Sequence, residues 1–128
     1  MGETLEGIEI VDIAGDAEAA AEACRLVHAG RAAAVMKGHL HTDDLLRPML
    51  DKATGLRIGR RLTHVFVMDV PGMDHLLLVS DAAINILPSL ETKVDIVQNA
   101  IDLAHVLRFD PVLVAILAAV ETVSAKMP

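Results

Sequence analysis

The turn at residues 36–42 carries side chains that could bind a small anion. It follows a short apolar run and precedes a predicted helix, and ligands in open α/β sheets collect at this position. Lys37 adds a positive charge beside the free N–H groups of the helix. The acids at 43–44 compete for the same helix end, so an ordinary strand-to-helix turn stays open as the alternative. Lys37 is therefore the candidate anion-binding side chain of this turn.

Two histidines in this turn also allow a metal site. His39 and His41 are alternate residues, which point the same way on an extended segment, and a nearby aspartate could supply an oxygen ligand. No second cluster of histidine or cysteine completes the set. We therefore expect no metal here, and a metal-dependent hydrolase that uses these histidines is the least favoured of the alternatives.

Arg47 is placed by the proline that follows it. In a helix that is capped by Thr42, Pro48 would remove a backbone hydrogen bond. We therefore expect residues 43–46 to form a tight turn and Pro48 to lie in the first turn of a restarted helix. The guanidinium would project from this kink, where its fork suits a phosphate. The equally open alternative is a salt bridge to Asp43, Asp44 or Asp51.

A stretch without any acid begins at Lys52 and ends at Met68. It concentrates positive charge on an acidic protein, which favours a small anionic ligand; a solvated loop that offsets nearby acids is the alternative. A second polar turn, with Asp81 and Asn85, follows a predicted strand at the sheet edge, and both residues could equally be turn formers. Cys24 is expected to be an inert core thiol. The arginines of the acid-free stretch are Arg57, Arg60 and Arg61.

The hydropathy pattern indicates the elements that must position these residues. Their order, β-α-β-α-β-β-α-β, predicts an α/β fold with a mostly parallel sheet flanked by helices and one antiparallel hairpin. An apolar last strand followed by a short tail suggests part of a larger unit. The predicted strands are 8–13, 32–36, 63–70, 75–79 and 112–119, and the predicted helices are 16–29, one from 42 onward, and 90–107.

Composition excludes several classes. The 128 residues are 53% hydrophobic and 23% charged, which rules out a disordered chain. A net charge of −7 with two phenylalanines, no tyrosine and no tryptophan argues against nucleic-acid binding. The longest apolar run, nine residues at 112–120, is too short for a membrane span. One cysteine and no visible secretory signal lead us to expect a cytoplasmic protein.

Together, these segments resemble the phosphate acetyltransferase/phosphate butyryltransferase family. The resemblance begins near Asp16 and runs in order to the end of the chain. It is closest to the butyryl-type branch and to the phosphate acetyltransferase part of bifunctional enoyl-CoA hydratase/phosphate acetyltransferases. The segments that carry it are 36–50, 55–69, 80–93, 97–105, 114–123 and 126–128.

The resemblance implies transfer of an acetyl or short-chain acyl group between coenzyme A and inorganic phosphate, with acyl phosphate as product. It implies a two-domain fold similar to isocitrate and isopropylmalate dehydrogenases, usually dimeric, and coenzyme A as a substrate rather than a resident cofactor. The arginine matching Arg47 binds phosphate or coenzyme A in such enzymes, and His41 and Thr42 match the same motif. Arg57, Arg60 and Arg61 are expected at coenzyme A phosphates on charge alone.

The chain also departs from the family pattern. Family members are more than twice as long, so residues 1–128 correspond to an N-terminal and central part of the domain. The family's C-terminal serine–arginine pair and aspartate have no counterpart, and we expect no catalytic residue in this chain. A non-catalytic module that binds coenzyme A or acyl phosphate is therefore the main alternative. Arg108 stands where the family has glycine.

Overall fold

The computed structural model describes residues 4–118, 120–122 and 124. The chain forms two compact units, one ending at Ile58 and the other beginning at Gly59. The chain contains both helices and strands, which confirms a small α/β protein. No helix in the described ranges is long and apolar enough to cross a membrane. The elements are α1 (Asp16–His28), α2 (Thr42–Met49), β1 (Val65–Met68), β2 (Leu77–Ser80) and α3 (Leu90–Val106).

In the first unit, α1 packs against α2. α1 buries its small side chains on one face, with Ala20 and Cys24 almost fully inaccessible. It ends at His28, one residue earlier than predicted, and Gly30 follows the C-cap with a left-handed φ of 69°. The Arg31 N–H donates a hydrogen bond to the Leu26 carbonyl at 2.9 Å, and the Gly30 N–H donates to the Val27 carbonyl at 3.0 Å. This Schellman arrangement satisfies the last carbonyls of the helix.

α2 corrects the prediction made for Pro48. The helix continues without interruption from Thr42 to Met49, with the proline inside it, so the predicted turn at 43–46 and the restarted helix are wrong. Pro48 is the second-last residue of this helix. The backbone N–H that proline lacks costs the helix one hydrogen bond there, and no further turn follows that could be interrupted. The predicted cap is also displaced by one residue, since His41 is the N-cap and Thr42 is the first helical residue.

In the second unit, β1 and β2 form the predicted antiparallel hairpin, in which Val65 faces Ser80. Pro71 and Gly72 make the turn beyond β1: the Met73 N–H bonds the Val70 carbonyl at 3.0 Å, and Gly72 has φ 88°. A positive φ at the third position makes this a type II turn, which explains the Pro-Gly pair.

α3 begins after Ser89, as predicted, and the Ser89 Oγ accepts a hydrogen bond from the Thr92 N–H at 3.3 Å. The helix packs against β2. Its most buried residues are Thr92, Ile96 and Ala104. Leu90, the first residue of the helix, lies outside this buried face and is 72% exposed. The helix is apolar on more than one side, and packing selects only one of them.

Three predicted strands are not strands in the described residues: 8–13, 32–36 and 112–118, while residue 119 of the last one lies outside those residues. The sheet described consists of β1 and β2 alone. These segments are apolar yet open to solvent, with Met36 94% and Leu117 90% exposed. A strand needs a neighbour to pair its backbone, and apolar character by itself supplies none.

Candidate functional site

The predicted anion-binding turn lies in the first unit and precedes α2. The Lys37 Nζ donates to the Leu40 carbonyl at 3.2 Å, which draws the ammonium back toward its own loop. The His41 carbonyl accepts from the N–H groups of Asp44 and Leu45, at 3.1 and 3.3 Å. No side chain caps the helix, so the first N–H groups of α2 keep their hydrogen-bonding capacity.

Arg47 is exposed in the last turn of α2. Its guanidinium makes no hydrogen bond or ion pair with the residues that the structure describes, so the alternative of a salt bridge to a neighbouring aspartate is not realised there. Asp51, the nearest acid beyond the helix, instead accepts hydrogen bonds from the Thr54 and Ala53 N–H groups and the Thr54 hydroxyl. These bonds lower the pKa of Asp51. Arg47 therefore stays available to an external anion.

The three arginines of the acid-free stretch have different environments. Arg57 belongs to the first unit, whereas Arg60 and Arg61 belong to the second. Arg57 is exposed and has no partner among the described residues. Arg60 is committed to an ion pair, in which its Nη2 lies 2.8 Å from the Asp102 Oδ2. The hydrogen bond from Arg60, together with one from Gln98, lowers the pKa of Asp102. The solvated-loop alternative thus describes Arg60 best.

Arg61 is held by its backbone rather than by its side chain. The Arg61 N–H donates to the Asp95 Oδ2 at 3.1 Å, and the Asn99 Nδ2 donates to the Arg61 carbonyl at 3.0 Å. The same Asn99 nitrogen lies 3.1 Å from the Thr63 hydroxyl. Asp95 and Asn99 were not predicted as functional residues. Together with Asp102 they are spaced four and three positions apart, which puts three polar side chains on one face of α3 and could have indicated this contact.

Arg61 lines a cleft of about 370 Å³ at the start of α3, which we call the α3 cleft. Residues 84–89 and Thr92 form its other walls. The guanidinium has no hydrogen bond or ion pair within the described ranges. Arg61, a cation without a partner in that part of the chain, therefore belongs to the lining of a cleft of this volume.

Asp81 organises the loop that precedes this cleft. Its Oδ1 accepts the N–H groups of His64, Ala83 and Ile84, each at 3.2 Å, and its Oδ2 accepts the Asn85 N–H at 3.1 Å. The Asn85 side-chain amide also donates to Asp81, and to the Leu62 carbonyl at 3.1 Å. Burial opposes ionisation of Asp81, but these hydrogen bonds outweigh it and lower the pKa. Both side chains are used inside the loop, as the turn-former alternative requires.

The remaining candidates give no reactive centre. His39 and His41 are exposed, and the described part of the chain contains no cluster of three metal-ligating side chains. Cys24 is 2% exposed, and burial raises the pKa of its thiol. A buried, protonated thiol is a poor nucleophile.

Comparison with known proteins identifies relatives along almost the whole chain. Residues 8–128 match the family described as Phosphate acetyl/butaryl transferase. A phosphate acetyltransferase of Rhizobium meliloti is 56% identical over 120 residues, which cover 94% of this chain and 38% of that protein. A phosphate acetyltransferase of Rickettsia felis is 46% identical over 125 residues, covering 97% of the chain and 36% of the relative. A phosphate butyryltransferase of Clostridium acetobutylicum is 39% identical over all 128 residues, which are 42% of its length.

Proposed function

Because the chain belongs to the phosphate acetyl/butaryl transferase family, we propose that it is part of an acyltransferase. The reaction moves an acetyl or short-chain acyl group between coenzyme A and inorganic phosphate. The chain spans about two-fifths of the length of the curated relatives it matches. We assign residues 1–128 the binding of anionic substrates, and we assign the acid–base group to the family's C-terminal serine–arginine pair and aspartate.

The chemistry explains why a part rich in cations is needed. A phosphate oxygen attacks the thioester carbonyl carbon, the carbonyl oxygen becomes an oxyanion, the C–S bond breaks, and the proton that the phosphate loses reaches the departing thiolate. Both substrates are anions that repel each other, so the protein must neutralise them and hold them in contact. In this proposal Lys37, His41, Thr42 and Arg47 bind phosphate, and the candidates for binding coenzyme A are Arg57, Arg60 and Arg61.

The unpaired guanidinium of Arg47 carries this proposal. An arginine within a few residues of three aspartates ordinarily forms an ion pair, and Arg47 forms none within the described residues. Its planar set of N–H donors is therefore free for a bidentate contact with a phosphate, the geometry to which a guanidinium is best suited.

The larger architecture is also proposed. We infer a mostly parallel sheet in a two-domain fold like that of isocitrate and isopropylmalate dehydrogenases, in a dimeric cytoplasmic enzyme. The exposed apolar segments at 32–36 and 112–118 support this, because they could pair with further strands.

The test measures binding and turnover on one sample. Phosphate and coenzyme A are titrated calorimetrically into the chain, and thioester formation from acetyl phosphate is then assayed. Arg47→Ala should weaken phosphate binding about 10- to 100-fold, the loss expected for a charge-assisted hydrogen-bonded pair. The matched control is Arg25→Ala in the same unit, because Arg25 already pairs with Glu22.

The outcomes separate the two candidate functions. Binding with thioester formation supports the acyltransferase. Saturable binding without product supports the binding module. Equal phosphate affinity in Arg47→Ala and Arg25→Ala would refute the role of Arg47.

A further inference from the structure

Arg60 and Arg61, which are adjacent in the second unit, differ in which of their groups form hydrogen bonds. Arg60 is neutralised by Asp102 through its side chain, whereas α3 grips only the main chain of Arg61 and leaves the guanidinium unpaired within the described residues. An arginine with a structural role is expected to donate from its five side-chain N–H groups to other residues of the protein. At Arg61 the main chain is bonded instead, and the side-chain donors have no partner in the described ranges.

We propose that Asp95 and Asn99 are positioning residues that hold Arg61 so that its guanidinium binds a phosphate group in the α3 cleft. The proposal rests on the proposed coenzyme A binding and assigns it to one of the three candidate arginines, with Arg60 as a structural neighbour. The ligand class is a phosphate or diphosphate group, such as the diphosphate of coenzyme A.

Both polar groups of the Arg61 main chain are engaged. Asp95 accepts its N–H and Asn99 donates to its carbonyl, so the peptide units on both sides of the Cα are tied to one helix face. The Asn99 side-chain amide also donates to the hydroxyl of Thr63, which lies two residues after Arg61 and two residues before β1. Fixing the backbone on both sides of an arginine limits the side chain to rotation about its own bonds, which lowers the entropy lost when it binds.

The cleft has the chemistry that such a ligand needs. Arg61 and residues 84–89 both line it, and the loop that holds residues 84–89 is itself fixed by Asp81 and Asn85. The backbone of both segments is therefore held in place before a ligand arrives, so that only the Arg61 side chain has to be ordered on binding.

The test uses matched substitutions on α3. Asp95→Ala removes the acceptor for the Arg61 N–H, whereas Asp95→Asn keeps an oxygen there, and Asn99→Asp removes the donor at constant size. Gln98→Ala is the control, because Gln98 contacts Asp102 on the same helix. Inorganic pyrophosphate and coenzyme A are titrated into each variant, and hydrogen exchange of the Arg61 amide is measured by NMR.

We expect Asp95→Ala and Asn99→Asp to weaken pyrophosphate binding about tenfold. Exchange of the Arg61 amide should accelerate about tenfold in Asp95→Ala. Asp95→Asn should restore both values, and Gln98→Ala should change neither; a purely structural role would not produce this rescue in ligand affinity.

The outcomes distinguish this inference from the proposed function. Coenzyme A binding that is the same in all variants overturns the positioning role and leaves the proposed function intact. Pyrophosphate binding with the expected variant pattern, but no coenzyme A binding, supports the positioning role and refutes the coenzyme A assignment. No pyrophosphate binding by the unsubstituted chain overturns the positioning role.

Discussion

The residue that follows the C-cap of α3 is an arginine in a left-handed conformation, and at this position glycine should be more stable than alanine. Arg108 has φ 64°, and the helix ends there in a Schellman arrangement. The Arg108 N–H bonds the His105 carbonyl at 3.0 Å, and the Phe109 N–H bonds the Ala104 carbonyl at 2.9 Å. These bonds require the left-handed residue, so the fold imposes it on a side chain that disfavours it.

The magnitude follows from two opposing effects. An L-residue in the left-handed region costs roughly 1–2 kcal/mol, which glycine avoids. Glycine also gives the unfolded chain more freedom, which costs about 0.4–1 kcal/mol. Arg108→Gly should therefore be about 0.5–1 kcal/mol more stable than Arg108→Ala, and its Tm should be about 2–4 °C higher. Alanine is the reference because both variants lose the same positive charge at the helix end.

Urea unfolding measures the difference, followed by circular dichroism because the chain has no tryptophan or tyrosine. Val106→Gly is the control, since Val106 is 76% exposed and lies inside the last turn of α3, where glycine should destabilise. If Arg108→Gly unfolds at the same or lower urea concentration than Arg108→Ala, the reasoning about the left-handed residue is refuted.

Three other predictions concern single side chains. Because hydrogen bonds lower the pKa of Asp81 below its unfolded value of about 3.9, its contribution to stability should be present above that pH and lost as the pH falls through the folded pKa. The urea midpoints of Asp81→Asn and the unsubstituted chain should therefore converge in acid; a constant gap would contradict this. Cys24 should react with Ellman's reagent only in denaturing urea, and fast reaction of the native chain would show an accessible thiolate. Asp102→Ala should lower the urea midpoint in low salt and much less in about 1 M salt, because the pair with Arg60 is partly exposed; a salt-independent loss would indicate packing instead.

Much of the helical structure could be predicted from the sequence because the signals are local. Gly30 ends α1, Ser89 begins α3 and the Pro71–Gly72 pair makes a turn, each through bonds to residues a few positions away. The interruption expected at Pro48 was wrong for a related reason: the rule for proline holds in helix interiors, and this helix ends one residue later.

The candidate site was only partly predictable. The residue types and the acid-free stretch pointed to Arg57, Arg60 and Arg61 as a group, but not to how their environments differ. The pairing of Arg60 with Asp102 joins residues 42 positions apart, and the contacts from α3 to Arg61 join residues 34 and 38 positions apart. No local pattern specifies which distant carboxylate meets which guanidinium.

The amino-acid order alone determined the family, the helix ends and the hairpin, because caps, turns and motifs depend on near neighbours. Tertiary structure decided which apolar segments become strands and which arginines remain free. A strand exists only when another strand pairs with it, and a cation is available only when no acid reaches it. Both conditions depend on contacts between residues far apart in the chain, which form only when the chain folds.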